Sequence, residues 1–339
     1  MIIKLKKNIN QELINNITEK LDNIAYKSNI VSTQYADYII GVGKNEFDIR
    51  SIGTLEGVED IHRVTSSAKL VSRKWKTQET IIDLGDDVKI GGGHFQIMAG
   101  PCSIESEEQI ETTVQHLLDN NIKIMRGGVY KPRSSPYAFR GLGLEGLKIF
   151  YKHCNANGIK IITEVMMTDQ IDGMYDYVDI FQVGARNSQN FNLLDALGKI
   201  DKPVMLKRAL SGTIDELLAS AEYIFSNGNE DIMLCERGIR TYETAYRNTF
   251  DINSIPLLKK KSHLPVIIDA SHGVGIREFV EPISLAGVIA GGDAVITEVH
   301  QTPQIAFSDG AQTLSHKEAK IYYKNIRKTV EFRKGLKRF

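Results

Sequence analysis

The sequence predicts an α/β protein, a closed (βα)8 TIM barrel preceded by a ferredoxin-like α+β domain. The length of 339 residues fits a barrel of about 250 residues plus one small domain better than a single core. From residue 94 onward, eight short apolar runs alternate with amphipathic helical stretches, whereas residues 1–65 follow a different order. Unbroken apolar strands indicate a parallel sheet buried on both faces, and eight βα units favour a closed barrel over an open sheet.

The first 65 residues predict a βαββαβ order, which is the ferredoxin-like split motif. The strand-like runs are MIIKLK, IVSTQY, YIIGVG and VEDIHRV, with a helix at the apolar spacing of Ile9 to Ile24 and a second short helix. Residues 66–80 are polar and basic and hold the only tryptophan, Trp75, which suits a linker packing one aromatic ring against the next domain. We therefore expect domains at 1–70 and 71–339, the second opening with a hairpin, IIDLGDDVKI, that caps the barrel bottom.

The barrel strands are expected in eight apolar runs: HFQIMAG, KIMRGG, KIITEV, IFQVG, PVMLKR, DIMLCERG, PVIIDASH and AVITEVH. The periodicity predicts helices over 105–119, 143–157, 190–199, 213–226, 277–290 and 316–334. In such barrels the reactive residues lie at the carboxyl ends of the strands, so polar residues there are the candidates for function.

Composition excludes several classes of function. Lys plus Arg and Asp plus Glu each number 42, a balance that gives no global attraction to nucleic acid or to a membrane. We expect neither a membrane span nor a secretory leader, because the apolar runs are short and the first residues lack a leader's apolar core. Three cysteines cannot all pair, which indicates a reducing compartment and a cytoplasmic protein.

Four residues at or beyond strand ends form a metal-type set: Cys102, His272, Glu298 and Asp309. One thiolate, one imidazole and two carboxylates would suit a borderline divalent cation of the Mn, Fe, Co or Zn class and leave room for an exchangeable ligand. Residue chemistry alone leaves a second interpretation open, in which Cys102 is an ordinary buried cysteine and His272 a hydrogen-bonded loop histidine.

A second set at the same rim is cationic, and its members are Arg126, Lys131, Arg133, Arg186, Lys207, Arg208 and Arg237. Any one of them alone would pass for a solvated surface residue. Seven facing cations would repel one another unless polyanions lay between them, so we expect phosphate- and carboxylate-bearing substrates. Glu164, Glu236 and His300 are either orienting partners of these groups or ordinary strand-end residues.

The motifs at these positions resemble one family. They are MAGPCS at 98–103, RGGVYKPRSSPY at 126–137, GARNSQN at 184–190, LKR at 206–208, LCERG at 234–238, SHG at 271–273 and EVH at 298–300. Together they resemble 3-deoxy-D-arabino-heptulosonate 7-phosphate (DAHP) synthases, most of all the type I beta members with an N-terminal ferredoxin-like domain. The sister octulosonate 8-phosphate synthases typically have KANRS where this chain has KPRSS. The chain departs from the family pattern at Ala270 and Ile276, with a basic residue at Arg277 instead.

The resemblance implies a metal-dependent enzyme that condenses phosphoenolpyruvate with erythrose 4-phosphate and water, the first step of the shikimate pathway of aromatic amino acid biosynthesis. It assigns the metal to Cys102, His272, Glu298 and Asp309, phosphoenolpyruvate to Arg126, Lys131, Arg186, Lys207 and Arg237, and the aldose phosphate to Pro132, Arg133 and Ser134. Lys131 is the expected proton donor, with a fixed cationic contact as the other interpretation.

The resemblance also implies a homotetramer and an N-terminal domain that binds tyrosine or phenylalanine and closes over the barrel mouth. The other interpretation of this domain is a role in assembly or solubility only. Two alternatives to the function stay open: an octulosonate 8-phosphate synthase that uses arabinose 5-phosphate, and a binding homologue without catalysis.

Overall fold

The structure, a computed structural model, describes residues 1–131, 137 and 139–336 and has the two predicted parts. An antiparallel four-stranded sheet with two helices precedes a closed barrel of eight parallel strands, which confirms the predicted fold class. Among the helices of this described part, none combines the length and apolar character that crossing a membrane requires.

The N-terminal part has the order βαββαβ. Its elements are β1 (Ile2–Leu5), α1 (Gln11–Asn23), β2 (Lys27–Ser32), β3 (Asp37–Val42), α2 (Arg50–Gly53) and β4 (Val58–His62). The strand order β2-β3-β1-β4, antiparallel throughout, is that of the ferredoxin-like motif. The second strand begins at Lys27, three residues before the predicted run. The α1 helix begins where the Asn10 side chain accepts a hydrogen bond from the Leu13 amide at 2.9 Å, and it buries Ile17 and Leu21.

All eight predicted barrel strands are present, and a short hairpin precedes them. The hairpin is β5 (Ile82–Asp83) with β6 (Lys89–Ile90), and the barrel strands are β7 (Gln96–Gly100), β8 (Ile124–Arg126), β9 (Lys160–Val165), β10 (Ile180–Val183), β11 (Val204–Lys207), β12 (Ile232–Glu236), β13 (Val266–Ile268) and β14 (Ala294–His300). Pairing of β14 with both β13 and β7 closes the barrel, and β15 (Leu314–Ser315) adds to β14. Ile82 and Ile90 of the hairpin pack with Met98, Met205 and other inward-facing strand residues, as expected for a cap.

The helices cover the outside of the barrel. They are α3 (Glu107–Asp119), α4 (Gly143–Ala156), α5 (Gln170–Met174), α6 (Phe191–Leu197), α7 (Ile214–Ser226), α8 (Ser254–Lys261), α9 (Ala270–Val274), α10 (Arg277–Ala290) and α11 (His316–Gly335). Capping boxes at Thr213 with Glu216 and at Ser315 with Glu318 explain the sharp starts of α7 and α11. The predicted helices are confirmed, whereas α5, α8 and α9 were not predicted, because five to eight residues carry too little periodicity.

The N-terminal sheet contacts the barrel at the amino ends of its strands. The Tyr38 hydroxyl donates to Glu230 at 2.9 Å and the Tyr35 hydroxyl to Asp231 at 2.7 Å, both just before β12. Trp75 of the linker packs edge-on against Tyr38 of the N-terminal sheet, with ring centroids 5.4 Å apart, and against His263 of the barrel, with centroids 5.8 Å apart. The carboxyl ends of the strands lie on the other side of the barrel. Closure of this domain over the barrel mouth, which the resemblance implies, stays a prediction, because these contacts describe one arrangement of the domain.

Candidate active site

The four residues of the metal-type set meet at the carboxyl end of the barrel. Cys102 follows β7, His272 lies in α9 after β13, Glu298 belongs to β14, and Asp309 lies in the loop after β14. Their Sγ, ring nitrogen and carboxylate oxygen atoms all lie within 4.8 Å of one another. Cys102 Sγ is 3.3 Å from Asp309 Oδ2, and His272 Nε2 is 3.2 Å from Glu298 Oε1. A thiol, an imidazole and two carboxylates this close form a donor set that fits a divalent cation.

Asp309 is held in place from two sides. Its backbone φ of +54° lies in the left-handed region, which aspartate tolerates better than most residues. Arg247 Nη1 lies 3.2 Å from Asp309 Oδ1, and Arg277 Nη2 donates to the carbonyl oxygen of the neighbouring Gly310 at 2.8 Å. The displaced basic residue noted in the sequence, Arg277, therefore supports the loop that carries Asp309.

His272 and Glu298 have strongly shifted acidities because they are buried together with charged partners. Burial by itself would lower the pKa of His272, but the carboxylates of Asp269 and Glu298 outweigh it and raise that pKa to about 10. Burial would likewise raise the pKa of Glu298, yet His272 and Arg126 keep it well below its usual range. A cation bound by these residues would compete with a proton on His272.

A cavity of about 210 Å³ opens beside this cluster, and seven of the residues that line it are lysine or arginine. Five of them were predicted from the sequence: Arg126, Lys131, Arg186, Lys207 and Arg237. Arg240 and Arg247 line the cavity as well and were not predicted. Asp309 and His272 contribute to the same wall, so the candidate cation site and the candidate anion site share one space.

Some of these cations already have partners within the protein. Arg126 Nη1 donates to the Pro101 carbonyl oxygen at 2.8 Å and lies 3.4 Å from Glu298 Oε1. Lys131 Nζ donates to Cys102 Sγ at 3.0 Å and to the Cys102 carbonyl oxygen at 3.1 Å. Lys131 therefore touches the metal-type cluster while it also faces the cavity.

Arg237 stands out because it is buried without a carboxylate partner. Its exposed fraction is 4%, and within the described ranges no carboxylate lies at ion-pair distance from its guanidinium group. Its Nη1 donates to the carbonyl oxygen of Gly238 over a long 3.4 Å. Burial lowers the pKa of Arg237. A buried guanidinium without a direct carboxylate contact is costly, and an anionic ligand in the cavity would offset that cost.

The remaining predicted residues differ in whether they line the cavity. Arg208 does not line the cavity, because its guanidinium group binds Glu236 at 2.8 Å and Asp251 at 2.9 Å. The expectation that Arg208 faces the substrates is therefore wrong. Glu164 lines the cavity and accepts a hydrogen bond from Gln182, whereas Nε2 of His300 lies 3.6 Å from Glu105. The three residues assigned to the aldose phosphate, Pro132, Arg133 and Ser134, lie outside the described residues.

Arg240 and Arg247 belong to the segment 239–249 between β12 and α8. Ile239 and Thr249 pair by two backbone hydrogen bonds of 2.9 Å, so the segment forms a closed loop over the barrel rim. The sequence carries a signal for them, because basic residues in the segment that follows Arg237 remain near the rim where that strand ends.

Comparison with known proteins gives consistent matches. A sequence model described as the DAHP synthetase I family matches residues 76–333. Phospho-2-dehydro-3-deoxyheptonate aldolase of Thermotoga maritima is 42% identical over 332 residues, 98% of each chain, and its crystal structure superposes with a TM-score of 0.78 over 98% of this chain and 97% of that one. A 2-dehydro-3-deoxyphosphooctonate aldolase of Geobacter sp. strain M21 is 32% identical over 249 residues, 67% of this chain and 89% of that protein.

Proposed function

This chain belongs to the DAHP synthetase I family, and from that premise we propose that it condenses phosphoenolpyruvate with erythrose 4-phosphate and water. The products are 3-deoxy-D-arabino-heptulosonate 7-phosphate and phosphate. The observation that carries the proposal is the buried Arg237, without a carboxylate partner among the described residues, in the same cavity as the cluster around Cys102 and His272. The N-terminal ferredoxin-like sheet supports assignment to the type I beta group.

We assign a divalent cation to Cys102, His272, Glu298 and Asp309, whose donor atoms fit it in kind and in mutual distance. When bound, a cation of the Mn, Fe, Co or Zn class would withdraw electron density from the aldehyde oxygen and make the aldehyde carbon more electrophilic. The thiol of Cys102 favours these ions over Mg²⁺. The three unpaired cysteines support a reducing compartment, and we propose that it is the cytoplasm.

The cations of the cavity would bind phosphoenolpyruvate, which carries one phosphate and one carboxylate. We assign this role to Arg126, Lys131, Arg186, Lys207 and Arg237. Two of these residues support the role directly: Arg237 lacks a carboxylate partner, and Nε of Arg126 is buried without a hydrogen-bond acceptor within the described chain. Bidentate guanidinium contacts would fix the substrate's orientation, so that its methylene carbon faces the aldehyde.

Lys131 is our candidate for the proton donor. The new carbon–carbon bond joins the methylene carbon of phosphoenolpyruvate to the aldehyde carbon, and the aldehyde oxygen takes up a proton. Lys131 Nζ lies 3.0 Å from Cys102 Sγ and lines the cavity, so it is placed between the cluster and the anion site. Water then adds to the former enol carbon and phosphate leaves, while the surrounding guanidinium groups balance the charge on the departing phosphate.

The second substrate decides between two members of this group of enzymes. Pro132, Arg133 and Ser134, assigned to the aldose phosphate by the KPRSS motif, support erythrose 4-phosphate. The higher identity to the heptonate aldolase, 42% against 32%, supports the same choice. The alternative is an octulosonate 8-phosphate synthase that uses arabinose 5-phosphate.

We further propose that residues 1–70 form a regulatory domain for tyrosine or phenylalanine, that residues 71–339 form the catalytic barrel, and that the chain assembles as a homotetramer. The domain is attached to its own barrel at the amino ends of the strands through Tyr35 and Tyr38. A domain held there would reach the barrel mouth either by leaving this position or through another copy of the chain. In both cases the effector must bind one arrangement more tightly than the other.

The test is release of phosphate from phosphoenolpyruvate, measured with erythrose 4-phosphate and with arabinose 5-phosphate, before and after chelation. We expect rapid release with erythrose 4-phosphate only, and none after chelation. Preference for arabinose 5-phosphate would establish the octulosonate synthase instead. Phosphoenolpyruvate binding without release in the presence of any aldose would indicate a binding homologue.

A further inference from the structure

Asp269 directly follows β13 and is buried between the two candidate sites. Its side chain is 1% exposed, and its backbone amide donates to the Glu236 carbonyl oxygen at 2.9 Å, which fixes it against β12. Asp269 also caps α9, because its Oδ1 accepts a hydrogen bond from the His272 amide at 3.1 Å. The carboxylate is therefore rigidly placed before any ligand binds.

This one carboxylate contacts both candidate sites. Nδ1 of His272 lies 2.8 Å from Asp269 Oδ2 and 3.0 Å from Oδ1. Lys207 Nζ donates to Oδ2 at 2.5 Å. His272 belongs to the proposed cation site, and Lys207, itself 4% exposed, lines the proposed anion cavity. Of the carboxylates in the described chain, Asp269 is the one that contacts these two side chains together.

We propose that Asp269 is a positioning residue that couples the two sites: it directs Nε2 of His272 toward the cation and holds the ammonium group of Lys207 toward phosphoenolpyruvate. This inference rests on the proposed function, because it takes the cation and the anion from there. Asp269 touches neither ligand and acts through its two neighbours.

The physical basis is the directionality of the two contacts. An imidazole that donates from Nδ1 to a carboxylate keeps its lone pair on Nε2, and Nε2 is the atom that faces Glu298 at 3.2 Å. An ammonium group has three N–H bonds, so anchoring one of them to Asp269 leaves the other two in defined directions. Without the carboxylate, His272 loses its preferred tautomer and Lys207 becomes a buried cation without a partner.

The test compares Asp269→Asn with the unsubstituted protein and with a matched control, Asp251→Asn. Asp251 is at the same end of the barrel and also pairs with a buried cation, Arg208, but it contacts neither His272 nor Lys207. Two affinities are measured on each protein without any turnover. Co²⁺ alone is titrated through the charge-transfer absorption of the Cys102 thiolate, and phosphoenolpyruvate is titrated calorimetrically into the metal-free protein.

We expect Asp269→Asn to weaken Co²⁺ binding by about 10- to 100-fold, the usual effect of losing a carboxylate behind a metal-binding histidine. Phosphoenolpyruvate binding should weaken by about tenfold or more, because the charged Lys207 contact is no longer oriented. Asp251→Asn should stay close to the unsubstituted protein in both. A variant in which either affinity is unchanged would overturn the coupling. If the unsubstituted protein itself bound neither ligand, the proposed function would fail, and the coupling with it.

A measurement on the unsubstituted protein keeps the inference testable even if Asp269→Asn does not fold. With ¹⁵N-labelled histidine and ¹¹³Cd²⁺ bound, we expect scalar coupling from cadmium to Nε2 of His272 and a proton retained on Nδ1. Coupling to Nδ1, or a ring without a proton on Nδ1, would refute the positioning role.

Discussion

Protonation of His263 should destabilise the junction between the linker and the barrel. This histidine is 1% exposed, and both its ring nitrogens are engaged: Nε2 with the Leu70 carbonyl oxygen at 2.8 Å and Nδ1 with the Thr80 hydroxyl at 2.7 Å. The ring also packs edge-on against Trp75, with centroids 5.8 Å apart. Since Nδ1 accepts the Thr80 proton in this arrangement, a second ring proton would break that hydrogen bond and place a charge in the core.

The size of the effect follows from the acidity of the ring. Burial and the nearby charge of Lys76 lower the pKa of His263 to about 3, against an ordinary value of 6.5. The unfolded chain therefore takes up this proton first, so the contribution of His263 to the free energy of unfolding is constant above about pH 6.5 and falls as the pH drops from there toward about 3. A pH of 5 lies about 1.5 units below the histidine pKa of the unfolded chain. At about 1.4 kcal/mol per pH unit, the free energy of unfolding therefore falls by about 2 kcal/mol.

The assay is urea unfolding between pH 7.5 and pH 5, followed by the fluorescence of Trp75, the only tryptophan. His263→Gln can retain a donor toward Leu70 and an acceptor toward Thr80 but takes up no proton, so its unfolding free energy should fall by about 2 kcal/mol less than that of the unsubstituted protein. His94→Gln, at an exposed histidine, serves as the control and should keep the original pH dependence. Equal slopes for His263→Gln and the unsubstituted protein would refute the reasoning.

Three further predictions concern function. Cys102→Ala should lose bound metal and turnover together while its circular dichroism stays unchanged. In the unsubstituted enzyme, Mn²⁺ but not Mg²⁺ should restore activity after chelation. Turnover in Cys102→Ala would contradict the ligand assignment. Arg237→Met should raise the KM for phosphoenolpyruvate by about 10- to 100-fold, because it removes one charge-assisted contact of about 1.5–3 kcal/mol. The KM for erythrose 4-phosphate should change little. Equal changes in both KM values would place Arg237 elsewhere. A chain starting at Ser72 should keep phosphate release but lose inhibition by tyrosine and phenylalanine; inhibition that survives truncation, or a full chain insensitive to both amino acids, would disprove the regulatory role.

Much of the candidate site could be predicted because barrel topology converts order along the chain into position. Cys102, Glu298 and His272 are far apart in sequence, yet each follows or ends an apolar run, and the carboxyl ends of parallel strands meet at one rim. Their proximity within 4.8 Å follows from that topology together with the chemistry of the side chains. The same reasoning led to Arg126, Lys207 and Arg237 in the cavity wall.

The partner that each charged group finds could not be predicted in the same way. Arg208 directly follows Lys207 in the sequence, but successive residues at a strand end point in opposite directions, so Lys207 faces the cavity while Arg208 faces Glu236 and Asp251. The role of His263 was invisible for a similar reason, since its partners Leu70 and Thr80 precede it by more than 180 residues.

The sequence by itself determined the fold class, the eight strands and the kinds of side chain at the barrel rim, because apolar periodicity and helix capping act between residues that are close along the chain. Only the tertiary structure decided that Arg240 and Arg247 join the cavity, that Arg208 leaves it, and that the N-terminal sheet rests on Glu230 and Asp231 at the far end of the barrel. Such contacts join residues that are distant in sequence. Their choice depends on the shape, burial and charge of surfaces that exist only once the barrel has closed.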